Sequence, residues 1–176
     1  IIGTAQFSQN YGVNSVKKKI SFDDKNNLLR CASKSKIKDL DTAVSYKKVH
    51  KDLGRVGVNK FKINTKLPKI KTYNINYEKW INGNITKILA ELKLKKIESI
   101  LIHNQKDLNI KNREKYISGL KKIKQKKLVK KIGISLYNIK DIFRILKFWK
   151  PDIIQIPYNI FDRRIEEKNI LFFLKK

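Results

Sequence analysis

Along this chain, short apolar runs alternate with longer stretches whose apolar positions recur every three or four residues. IIGT (1–4), IKDLD (37–41), FKINTKL (61–67), ESILIH (98–103), VKKIGIS (129–135) and DIIQI (152–156) have the length and β-branched content of strands. Between them lie helical patterns. Residues 22–35 carry Leu28, Leu29 and Ala32 on one side, and 49–57 form a short helix ending at glycine. Residues 77–94 carry Ile81, Ile85, Ile88, Leu89 and Leu92. Residues 113–127 turn Tyr116, Ile117, Leu120 and Ile123 inward beneath a lysine-rich outer face, and 138–147 are built on Ile142, Ile145 and Leu146. A last helix is predicted after Asp162.

Strictly alternating strands and helices require a parallel sheet with right-handed crossovers. Nearly continuous apolar strands such as ILI and IIQI are those covered on both faces. A doubly wound sheet announces itself by a glycine-rich phosphate loop after its first strand. Here Gly3 and Gly12 stand far apart, and neither GxGxxG nor GxxxxGK[ST] occurs. A (β/α)8 TIM barrel needs no such loop, and the predicted fold is that barrel truncated to about its first six βα units, one domain over residues 1–176.

The composition adjusts this picture in three ways. There is no Met and both ends read as cut inside structure, so the chain is expected to be part of a longer protein. The single cysteine, Cys31, excludes an internal disulfide framework and fits a reducing, cytoplasmic setting; no transmembrane run or signal peptide is visible. The net charge is +27. Such a charge raises the question of nucleic acid. Yet lysine supplies 36 of the 42 basic residues and arginine only 6, whereas nucleic-acid sites favour arginine. Lys, Ile and Asn, all with AT-rich codons, make up 79 of 176 residues, and the lysines run through the whole chain rather than one tail. Codon bias explains this without selection for a polyanion, so nucleic acid is not an expected partner.

The chemistry gathers at predicted strand ends, where barrels place it. Asp41 closes the second strand with Tyr46 five residues on. Lys66 closes the third, His103 the fourth and Ser135 the fifth, and Gln155 lies in the sixth. Each has a plainer reading: Asp41 as a turn cap, Lys66 as one surface lysine among many, Tyr46 as packing, His103 as a structural histidine. His50, on a predicted helix, is read as solvent-facing. No metal-ligand spacing is present. Ser135, His103 and Asp41 lack the GxSxG elbow of a hydrolase triad. Together Asp, Tyr, Lys and His make coherent chemistry. A phenol of ordinary pKa near 10 is a poor acid, a nearby ammonium favours the phenolate, a carboxylate holds the lysine, and a neutral imidazole orients a carbonyl. Such a set donates protons during carbonyl reduction, and a cofactor must bring the hydride.

GTAQFSQNYG (3–12), LDTAVSY (40–46), LG (53–54), TKLP (65–68), ILIHN (100–104), LVKKIGISLYN (128–138) and PDIIQIPYNIFDRR (151–164) follow one another as in a known family. By these motifs the chain resembles the aldo/keto reductases, NADP-dependent oxidoreductases with a (β/α)8 barrel. The resemblance implies reduction of an aldehyde or ketone with NADP(H), a small carbonyl substrate, and a catalytic tetrad of Asp41, Tyr46, Lys66 and His103. Tyr46 would be the general acid, Lys66 would lower its pKa, Asp41 would hold Lys66, and His103 would orient the carbonyl. Gly3, Thr4 and Asp41 would lie near the cofactor, with Ser135 and Gln155 at the nicotinamide amide. Two positions depart from the pattern. Lys47-Lys48-Val49-His50 follows the tyrosine where the family has Gly-x-Ser-Glu, and Leu136 stands where many members have Asn. The other readings weighed are a non-catalytic subunit of the same fold and a basic nucleic-acid-binding protein. Cut after its sixth strand, the chain is expected to leave two open sheet edges and to be inactive alone.

Overall fold

The computed structural model describes residues 1–8, 20–72, 74–170 and 174. Six strands and five helices alternate: β1 (Ile2–Gly3), α1 (Phe22–Lys34), β2 (Asp39–Asp41), α2 (Val49–Val56), β3 (Lys62–Leu67), α3 (Tyr77–Leu92), β4 (Ile97–Ile102), α4 (Arg113–Gln125), β5 (Val129–Ser135), α5 (Lys140–Leu146) and β6 (Ile153–Gln155). Three 3-10 turns, Ala5–Phe7, Gln105–Leu108 and Arg164–Asn169, were not foreseen as such. The last occupies the start of the predicted final helix. Gly12 and the rest of the 9–19 segment lie outside the described residues.

All neighbouring strands are parallel, and their order in the sheet is their order in the sequence. The sheet is curled. In a flat sheet β2 and β6 would stand about 19 Å apart, four spacings of about 4.8 Å. Instead the Gln155 side-chain amide on β6 donates to the Asp41 carboxylate on β2 at 3.2 Å.

Local sequence explains the helix ends. Ser21 and Asp24 form a reciprocal capping box at the start of α1, and Asn76 caps α3. Burial then orients the helices. Ile81, Ile85 and Ile88 of α3 are at most 1% exposed, each worth about 2 kcal/mol of apolar burial. Their targets are the strand residues that alternate away from the barrel axis, including Leu40, Ile63, Leu67, Ile100, Ile102, Ile132 and Ile134.

Two expectations about orientation fail. Leu28 is 39% exposed, and α1 buries Leu29, Ala32 and the stem of Lys25 instead, whose ammonium meets Asp52 at 2.6 Å. His50 is buried rather than solvent-facing: its Nε2 and the Thr65 hydroxyl lie 2.9 Å apart, and its Nδ1 is 3.8 Å from Glu91. The helical period does place position 50 inward. A histidine can lie there because the Thr65 hydroxyl partners its ring nitrogen.

Candidate active site

The strand register sorts the polar residues. Gly3 pairs with Asp41, Asp41 with Asn64, Asn64 with Ser99, Lys66 with Leu101, Leu101 with Gly133, and Ser135 with Gln155. Since side chains alternate faces, these positions share the inner face, and His103 follows Leu101 on it. The sequence thus writes its polar residues on the alternate positions of otherwise apolar strands, at their C-terminal ends.

At the centre, Lys66 Nζ donates to both carboxylate oxygens of Asp41, at 2.7 and 2.8 Å, and to the Thr42 carbonyl at 3.1 Å. The Lys66 side chain is 4% exposed. Burial pushes its ammonium below its ordinary pKa, and the Asp41 charge and hydrogen bonds oppose that shift. Asp41 is fixed from behind: the Thr4 hydroxyl and backbone N–H both donate to its carbonyl oxygen at 2.9 Å. Thr4 is fully buried.

Tyr46 follows β2 in a tight turn. Its backbone N–H donates to the Ala43 carbonyl, and its own carbonyl accepts from the Ser8 hydroxyl at 2.7 Å. Lys66 Nζ lies 5.7 Å from the Tyr46 ring centroid. The His103 ring stands edge-on to the same ring, with centroids 6.3 Å apart and planes at 86°. The Ser45 hydroxyl is 3.3 Å from His103 Nδ1. Burial first, and then the Lys66 charge, hold the His103 pKa below its ordinary value against a smaller opposing pull from Asp41. The shift favours the neutral imidazole. All four of Asp41, Tyr46, Lys66 and His103 come together.

Across the mouth, Ser135 is 8% exposed. Gln155 Oε1 is buried with no hydrogen-bond partner, although its amide nitrogen is engaged by Asp41. Buried carbonyl oxygens normally have a partner, so this one is a ready acceptor for a ligand N–H. Nothing stands within 4 Å of where a side chain on Gly3 would begin. This side of the mouth can therefore take up a ligand N–H donor. Two positioning contacts escaped the sequence reading, Ser8 on the Tyr46 carbonyl and Ser45 on His103. Nothing in their spacing marks them. Among the described residues no cluster of metal-ligating side chains occurs, and no helix is long and apolar enough to cross a membrane.

A curled parallel sheet wrapped by helices, with its ionisable residues at the C-terminal strand ends, defines a (β/α) barrel protein. Residues 1–176 match the model of the Aldo/keto reductase family, and the chain belongs to that family. No curated protein matches it. Among solved structures, one from Pseudomonas aeruginosa described as an aldo-keto reductase superposes with a TM-score of 0.79 at 21% identity, over 99% of this chain and 68% of that one. An aldo-keto reductase from Bacillus halodurans in holo form gives 0.76 at 18% identity, over 98% and 57%. An aldo-keto reductase complexed with NADPH gives 0.63 at 21% identity, over 90% and 50%. The chain thus spans between half and about two thirds of the length of these relatives.

Proposed function

We propose that the chain carries the proton-transfer machinery of an NADP(H)-dependent aldehyde or ketone reductase. The observation that supports this most directly is the doubly hydrogen-bonded Asp41–Lys66 pair beside the Tyr46 ring, with His103 edge-on to it. In this reading Tyr46 donates the proton to the carbonyl oxygen and takes it back during alcohol oxidation. Lys66 favours the phenolate that remains, since a cation near a phenol lowers its pKa. Asp41 keeps the ammonium in place, and neutral His103 orients the carbonyl beside the phenol without competing as an acid.

NADPH, when bound, supplies the hydride that no side chain can. The unpartnered Gln155 Oε1 and the neighbouring Ser135 would hold its carboxamide, with Gly3, Thr4 and Asp41 nearby. One domain over residues 1–176 and a small-molecule carbonyl substrate belong to the same reading. The single cysteine accords with a cytoplasmic setting.

The test is Tyr46→Phe in the complete enzyme. Losing the acid should lower turnover of a test aldehyde by about 10²- to 10⁴-fold, with NADPH binding by fluorescence retained. Turnover equal to that of the unmutated enzyme would remove Tyr46 from the mechanism.

A further inference from the structure

We propose that the barrel end opposite the candidate active site is a docking surface for double-stranded nucleic acid, gripped through its phosphates without regard to sequence. The lysines are dispersed along the chain, but the topology collects many of them. α1, α3 and α4 each end in the same motif. Lys36, Lys93 and Lys127 adopt left-handed backbone, with φ of 59°, 56° and 58°. The next residue, Ile37, Leu94 or Leu128, returns its N–H to the helix at Ala32, Leu89 or Ile123. This is the Schellman ending, whose left-handed position usually holds glycine because a side chain there is strained. Lysine at that position after α1, α3 and α4, with Gly57 in the left-handed range after α2, puts three cations at one end of the sheet.

The neighbouring residues add to them. Lys38, Lys96 and Lys126 are exposed in the same three turns, and Lys60 and Lys150 are exposed in the turns before β3 and β6. None of these lysines lies within ion-pair distance of a carboxylate among the described residues, although the Lys126 charge acts on Glu78. Of the carboxylates of this end, Asp152 is engaged by Lys124 and Glu98 by Lys130 and Lys131, while Asp39 accepts only from the neutral Asn64 amide and Glu91 lies 3.8 Å from His50, so the exposed lysines outnumber the charges that oppose them. The turns before β2 to β6 follow one another along the same edge of the sheet, so their lysines add positive charge to one face.

The chemistry of the face decides the occupant. No arginine stands in these five turns, and their aromatic residues are turned in: Trp149 is buried and Phe148 lies under the Arg113 guanidinium. Apart from Arg113, stacked on Phe148, these turns offer no bidentate fork for base edges, and they expose no ring as a platform for unpaired bases. Its apolar turn residues also point inward, with Val58 buried and Ile37, Leu94 and Leu128 partly so, leaving nothing to insert into a bilayer. What it offers is point charges for a regular array of phosphates. The candidate active site stays free, since it lies at the other strand ends.

The experiment measures anisotropy of a labelled, random-sequence 20-base-pair DNA with the complete protein between 50 and 200 mM NaCl. The triple variant Lys36→Gly, Lys93→Gly, Lys127→Gly removes three charges at positions that favour glycine, so the fold should be kept; melting checks this. A control, Lys69→Gln, Lys71→Gln, Lys106→Gln, removes the same charge from loops at the catalytic end. Supporting the proposal, the parent binds with log K falling linearly in log[salt]. The glycine variant binds at least about tenfold more weakly with a slope shallower by up to about 2.7, and the control stays within about twofold of the parent. No binding at 50 mM salt, equal losses in both variants, or tighter binding to phosphatidylserine vesicles than to the duplex would each overturn it.

Discussion

Both carboxylate oxygens of Asp41 lie within 2.8 Å of the Lys66 ammonium, and the lysine has one other acceptor, the Thr42 carbonyl. The two residues come from adjacent strands, with Asp41 opposite Asn64 and Lys66 one inner-face position beyond. Removing one member leaves a buried charge with too few partners. Asp41→Asn should therefore destabilise the protein by about 2–4 kcal/mol and lower turnover as well, read by urea unfolding and an aldehyde assay. Unchanged unfolding would mean that the pair is solvated in solution.

The buried imidazole of His50 gives a pH prediction. Burial lowers its pKa from 6.5 to about 4, so the unfolded chain binds a proton that the folded chain refuses between those values. The stability is fully present above pH 6.5 and is lost as pH falls through that window. At about 1.4 kcal/mol per unit, the loss by pH 4 is of order 3 kcal/mol. Urea midpoints at pH 7 and pH 4.5 should differ more for the parent than for His50→Gln. Equal pH dependence would exclude His50 as its source.

Where the family has glycine after the tyrosine, Lys47 keeps the backbone in the left-handed region, with φ of 54°. A side chain in that region carries a local cost. Lys47→Gly should relieve about 1 kcal/mol and raise the melting temperature by about 2–4 °C for a domain of this size. A lower melting temperature would contradict this.

Gly133 is required for a different reason. A Cβ there would stand 2.1 Å from the Ile153 carbonyl oxygen. Gly133→Ala should push β6 off β5, cost about 1–3 kcal/mol, and displace Gln155. Calorimetry and NADPH titration of the complete enzyme should both report it, and an unchanged melt would show that β6 shifts without cost.

Much of this was legible from periodicity. The bounds of β5 agree residue for residue, α1 and α3 agree to within two, and the inner-face chemistry followed from polar residues interrupting apolar strands. The partners of the buried His50 were not: Thr65 and Glu91 are remote in sequence, and no local pattern names them. Nor was the lysine rim. Lys36, Lys93 and Lys127 are dozens of residues apart, and only the stacking of parallel strands brings their turns to one end.

The bond between Gln155 and Asp41 joins residues 114 positions apart. Contacts of such long range carry the largest chain-closure cost and form after the local ones that shorten the loop. During folding, Asp41 can meet Lys66 as soon as β2 and β3 pair, but the carboxylate reaches its full set of donors only when the sixth strand arrives. Correct assembly of the acid site is thereby tied to the near-completion of the sheet, and a nascent chain that has made only its first units holds an ion pair without the far wall that frames it.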